Sequence, residues 1–342
     1  MFVEAVSLLK NNLVSLVSIN NAEATIIAKK LHINLSELLT DPIKERSHLI
    51  SFLNEFELSI PSIIDSNFQP VQLAKFKKAN NEVVSSSLIR NLETIALLFR
   101  EQELLNDKKQ TFPHEYFRLS DEELISKVFT DLDYQSYRNK LYSADNIQAK
   151  YIFDDLFQKI YSIYGLKIFV LDSNKTNFNF DGIYFDKTTA TTFVSAYNSA
   201  YSKTMFSLLH EMYHFFKDEG NSNTFDLFSN NDSDNAGSRA EDIRANKFAK
   251  NFLLFNAKKD LDTLKESTTL ENITNIMKKY GISRQALGIE LGLDLKNFKI
   301  GILHGCLFTS SKKEINELLT KLKEEGSISI RKYSELIGSI TK

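Results

Sequence analysis

Two histidines and a glutamate stand in the spacing His210-Glu211-Met212-Tyr213-His214. On a helix, residues i and i+4 lie one above the other on the same face, so the two imidazoles can grip one metal ion from the same side. Glu211 is then placed to reach a water on that ion. A bound divalent cation lowers the pKa of its water, and a nearby carboxylate takes the proton as the water attacks a carbonyl, so the pattern points to metal-assisted hydrolysis. The neighbours Met205, Phe206, Leu208, Leu209, Met212, Tyr213, Phe215 and Phe216 surround the motif with apolar side chains on nearly every side, which predicts a helix buried in a core. Two histidines and a glutamate in such a place are costly to leave unpaired, which favours a metal over histidines that merely hydrogen-bond within the core.

A catalytic zinc site usually takes a third protein ligand and keeps one position for water. Past the polar stretch 217–238, Ser238 to Phe252 predicts a second helix with Ala245, Phe248, Ala249 and Phe252 as its apolar stripe. Glu241 and Asp242 both lie near that stripe at its amino-terminal end. Ser238-x-x-Glu241 has capping-box spacing, which gives Glu241 a structural task. Asp242 has Asn246 four residues on, so a ligand and a group that orients a ligand histidine can share one face. Asp242 is the favoured third ligand. Glu241, with the longer side chain, is the alternative.

The elements that must hold these residues are mostly helical. Residues 1–145 read as a helical N-terminal region of one or two units, with short capped helices over 1–66, a longer helical stretch over 67–109, a boundary near the polar run 106–113, and further helix over 120–143. Residues 24–39 carry a partial helix-turn-helix pattern without a basic recognition face or a turn glycine, so DNA contact is the lesser reading. Residues 146–300 read as the domain that carries the metal motif. A helix ends at Gly165, strands follow at 166–171, 180–185 and 191–197, and then comes the metal-binding helix. A helix pair over 271–287, capped at Ser283, packs on that unit, and DNA contact by Arg284 and Gln285 is again the lesser reading. In 301–342, an amphipathic helix runs over 310–325 and stops at Gly326, and 327–333 reads as a strand or an arm for a partner. His304 is read as structural. The predicted fold is α+β, mainly helical, with a small three-stranded sheet beside the His-Glu-x-x-His helix, whose edge could take an extended peptide.

Composition sets the outer limits. The 342 residues are 42% hydrophobic and 25% charged with a formal net charge of −2, which is globular and has no bulk attraction for nucleic acid or anionic membrane. A single cysteine, Cys306, excludes an internal disulfide framework, fits a reducing compartment, and is read as a small core residue. No apolar run approaches a membrane span, and the amino-terminal stretch, broken by Glu4 and Lys10, does not read as a signal peptide. The expectation is a cytoplasmic protein with no membrane partner.

Taken together, the segments Phe206-Ser-Leu-Leu-His210-Glu211-Met212-Tyr213-His214 and Asp242-Ile-Arg-Ala245-Asn246-Lys-Phe248-Ala249-Lys-Asn-Phe252-Leu253-Leu254-Phe255 resemble the ImmA/IrrE family of metallopeptidases. The preceding strands and Tyr280-Gly-Ile-Ser283-Arg-Gln-Ala286-Leu287 look like that family's flanks, and the similarity spans about residues 148–295. The resemblance implies a zincin-like fold and a zinc-dependent endopeptidase, with manganese as a second candidate metal. The protein substrate it implies is a repressor whose removal switches on stress or mobile-element genes. It implies His210 and His214 as ligands and Glu211 as general base, and it sets Asp242 at the family's ligand glutamate. Three positions depart from the pattern. Asp242 is shorter than glutamate, so either its helix lies closer or Glu241 takes over. Tyr213 replaces a small residue and is expected to narrow the cleft, and Phe255 replaces a proline. The rival reading is a non-catalytic regulatory module that keeps the metallopeptidase fold to bind a repressor or another protein.

Overall fold

The structure is a computed structural model and describes residues 2–19, 21–55, 60–64, 86–105, 114–172, 180–185, 189–196, 201–217, 226–228, 239–293, 295 and 308–341. The readings made for 67–85, the boundary at 106–113, the Ser238 cap, His304 and Cys306 lie outside these residues. The chain divides into two units, 1–93 and 94–342.

The first unit is helical. It contains α1 (Phe2–Ile19), α2 (Asn21–Lys30), α3 (Leu35–Thr40), α4 (Arg46–Glu55), α5 (Ile60–Ile63) and the start of α6 (Ser86–Leu105). The α1 helix packs on α3 and α5, and α2 packs on α3 and α4, with Leu13, Leu38, Phe52, Leu53 and Ile63 buried between them. The helix-turn-helix pattern falls on α2 and α3. His32 turns the chain with φ 56°, and the Asn34 side chain accepts from the Ser36 amide at 3.1 Å to start α3.

The second unit continues with α7 (His114–Phe117), α8 (Asp121–Asp131), α9 (Tyr134–Ser143) and α10 (Asn146–Tyr164). Ser120 and Glu123 form a capping box at the start of α8, and Asp145 and Gln148 form one at the start of α10. Gly165, with φ 73°, takes the left-handed turn that ends α10 and feeds the sheet. The strands are β1 (Lys167–Asp172), β2 (Gly182–Phe185) and β3 (Thr191–Ala196). There follow α11 (Tyr201–Lys217), β4 (Asp226–Phe228), α12 (Arg239–Leu253), α13 (Lys258–Glu266), α14 (Leu270–Tyr280), α15 (Arg284–Leu291), α16 (Lys312–Glu324) and α17 (Ile330–Thr341). The fold is α+β, as the sequence predicts.

The sheet runs β1-β3-β2-β4, with β1 parallel to β3 and the other pairs antiparallel. The three expected strands are present, and β4 joins them from within the stretch read as a polar loop. Three residues are too short to show an alternating pattern, so only pairing with β2 reveals this strand. The segment expected as a strand or arm near 327–333 instead enters α17. Ser329 Oγ accepts from the Lys332 amide at 3.1 Å, and Leu336 and Ile340, one turn apart, are buried.

The core of the second unit closes around α11, in which every residue from Ser207 to Phe216 is buried. Side chains from α7 to α12 and from β1 to β3 contribute to one continuous apolar cluster. Among the described residues, no helix is long and apolar enough to cross a membrane.

Candidate metal centre

The α11 helix is tied at its first turn to β3, where Thr204 Oγ1 donates to the Ser195 carbonyl at 3.0 Å. It lies against β2 and β3 and packs along α12. On the facing side of α12, Ala245 and Ala249 are completely buried between the larger Phe248 and Phe252. Such small residues let two helix axes approach closely. The far end of α12 is held by Arg138 of α9, whose guanidinium donates to the carbonyls of Leu253 and Phe255, both at 2.9 Å. The cost of burying that charge is offset by these two bonds and by the faces of Phe129 and Tyr280, 5.0 and 4.7 Å away.

Holding α11 and α12 in this way brings three ligand atoms together. His210 Nε2 and His214 Nε2 are 3.0 Å apart, and Asp242 Oδ1 lies 3.9 Å from the first and 3.7 Å from the second. His210, His214 and Asp242 form a group that could hold a metal ion. Two atoms each bonded to one zinc ion at about 2.0–2.1 Å can be no more than about 4 Å apart, and all three separations meet that limit. The donor chemistry fits as well. Asn246 Oδ1 lies 3.1 Å from His210 Nδ1, and an amide oxygen only accepts, so Nδ1 carries the proton and Nε2 presents its lone pair to the cluster. Asp242 also sits in the first turn of α12, where the helix dipole favours a negative charge.

Burial separates the members of the site. His210, Glu211 and His214 are at most 2% exposed, whereas the Asp242 side chain is 29% exposed, so the cluster meets solvent on the side of α12's first turn. Glu241, the alternative ligand, is 56% exposed, and its Oε1 lies 3.7 Å from His214 Nδ1, the ring nitrogen turned away from the cluster. Asp242, not Glu241, is the acidic residue whose oxygen faces both Nε2 atoms.

Tyr213, expected at the cleft, is 2% exposed. Its hydroxyl donates to Asp121 of α8 at 3.2 Å, and its ring packs on Phe248 at 5.5 Å. Burial, with Asp121 adding to it, pushes its phenol up to about 12. The larger residue is absorbed between α8 and α12. Phe255, in place of a proline, packs on Phe129 at 4.7 Å.

One residue of the site went unrecognised in the sequence. Glu211 lies against the backbone of β2 at Gly182, where a Cβ would stand 2.6 Å from Glu211 Oε1 and 2.8 Å from its Cγ. A glycine inside a strand pattern signals a close approach of another group, and Phe180-Asp-Gly182-Ile-Tyr carried that signal without naming the partner.

Residues 164–291, from the end of α10 to the end of α15, match the family model Peptidase_M78, described as the IrrE N-terminal-like domain. That span lies inside the 148–295 expected from the motifs. No curated protein and no solved structure matches the chain.

Proposed function

We propose, from the match of residues 164–291 to the Peptidase_M78 family model, that this chain is a metal-dependent endopeptidase acting in the cytoplasm on a specific regulatory protein such as a repressor. The observation that carries this reading is the convergence of His210 Nε2, His214 Nε2 and Asp242 Oδ1 from two packed helices, with Glu211 next in the chain to the first of them.

In this reading His210, His214 and Asp242 hold the ion, zinc or in second place manganese, and Asn246 keeps the His210 ring in the tautomer that can bind it. When bound, such an ion supplies Lewis acidity toward a water and toward the substrate carbonyl. Glu211 receives the proton of the attacking water and delivers it to the leaving amine. Its burial keeps bulk water from screening that transfer. In this reading the β4 edge of the described sheet is where an extended peptide pairs through its backbone.

The test is cleavage of candidate repressors and of a proteome-derived peptide library by the metal-loaded protein, with new termini read by mass spectrometry. Fragments from the wild type that vanish with Glu211→Gln, while that variant keeps its metal and its fold, are the expected result. A wild type that captures a partner intact, with the Glu211→Gln variant behaving identically, would make the protein a binding module.

A further inference from the structure

We propose that Gly182 is the positioning residue for Glu211, and that its lack of a side chain sets where the Glu211 carboxylate stands. The inference rests on the peptidase reading above for its effect on rate, but the contact itself stands on geometry. The three atoms nearest to a Cβ at Gly182 all belong to Glu211: Oε1 at 2.6 Å, Cγ at 2.8 Å and Cδ at 3.1 Å. Real Cβ contacts essentially never fall below 3.0 Å, and Cγ lies on the stem of the side chain, so rotating the carboxylate alone does not relieve the overlap. Gly182 lies within the strand and has no left-handed backbone conformation to explain the glycine. Space for Glu211 is what the position requires.

Neither the strand nor the helix behind this contact can retreat. Gly182 is an interior position of the sheet, paired with Val194 of β3 and Phe228 of β4. The residues before it are also held. Ser195 donates its amide to the Asp181 carbonyl at 3.0 Å and its hydroxyl to the Phe180 carbonyl at 2.6 Å. Lys203 of α11 pairs with the buried Asp181 carboxylate at 2.9 Å, which ties β2 to the same helix that carries Glu211. That helix is buried along its length from Ser207 to Phe216. An added methyl at 182 therefore displaces the Glu211 side chain, whose stem and carboxylate are the atoms it meets. Misplacing a catalytic group by about 1 Å costs on the order of 100-fold in rate.

The experiment is a cycle of Gly182→Ala, Glu211→Ala and the double variant in the full-length, metal-loaded protein, reading metal content, thermal midpoint and, for Gly182→Ala, kcat and KM separately. Gly182→Ala is expected to keep its metal and its KM, to lose kcat by about 100-fold, and to lower the thermal midpoint. In the Glu211→Ala background, where the space is vacated, the same substitution is expected to leave the midpoint unchanged. Rescue adds a further check: Gly182→Ala should cost far less kcat in a Glu211→Asp background, whose side chain is one methylene shorter. Additive midpoints across the cycle, or a Gly182→Ala enzyme with wild-type kcat, would overturn the proposal. Should the wild type cleave nothing, the peptidase reading fails, and the midpoint cycle still decides the contact. Should Gly182→Ala fail to fold while the double variant folds, the coupling is established in its extreme form.

Discussion

A histidine binds a cation only through a nitrogen that carries a lone pair, so the proton on the other nitrogen matters as much as the ligand atom. At His210 that proton is held by Asn246 Oδ1, 3.1 Å from Nδ1. Asn246→Ala should leave all three ligands in place and still weaken metal binding by roughly 10–100-fold, the usual cost of removing a group that orients a ligand. Competition against a chelator of known affinity reads this directly, and unchanged affinity would mean that packing alone orients the ring. The same logic separates the two acidic residues at the start of α12. Asp242 faces both Nε2 atoms, whereas Glu241 approaches only Nδ1 of His214. The sequence identified both by type and could not choose firmly, because adjacent helical positions differ by about 100° in direction and only the approach of α11 says which direction points inward.

At the scale of elements, the site depends on α12 keeping its position along α11. Arg138 fixes the end of α12 through two carbonyls at 2.9 Å, inside the protein and across more than a hundred residues of chain. Arg138→Met should lower stability by about 3 kcal/mol, since hydrogen bonds from a charged donor are worth about 1.5–3 kcal/mol and buried carbonyls would be left without their donor. Denaturant titration measures it, and a loss under about 1 kcal/mol would show that α12 is held by its apolar stripe alone. Nothing in the sequence singled out Arg138, because a surface arginine and a buried capping arginine look alike until their partners are known. The α11 and α12 helices, by contrast, were legible. The apolar residues around His210-Glu211-x-x-His214 read as a helix with no solvent face, and the stripe Ala245, Phe248, Ala249, Phe252 has helical spacing. The β4 strand and the helical course of 330–341 were not. The first is defined by its neighbour β2, and the second depends on a serine cap and on two apolar residues being buried.

At the scale of the whole chain, the apolar cluster that encloses the candidate site draws its buried residues from 116–253 and Phe308, all within the unit 94–342. The helices α8 and α9 belong to that cluster. Tyr213 reaches Asp121 of α8, and Arg138 lies on α9. A chain beginning at Ser86, which keeps α6 whole, should therefore bind metal with wild-type stoichiometry, as read by elemental analysis of the purified fragment. A chain beginning at Asn146 should not, because it lacks the helices that pack behind α11 and α12. Equal metal content in the two fragments would show that the site needs no residue before Asn146.

The most direct test of the central claim is the metal content of the purified full-length protein, with His210→Ala, Asp242→Ala and Glu241→Ala beside the wild type. About one metal ion per chain is expected in the wild type and in Glu241→Ala, and none in His210→Ala or Asp242→Ala, since each of the latter removes one of three protein ligands. No metal in the wild type after reconstitution with zinc or manganese, or loss with Glu241→Ala and not with Asp242→Ala, would contradict it.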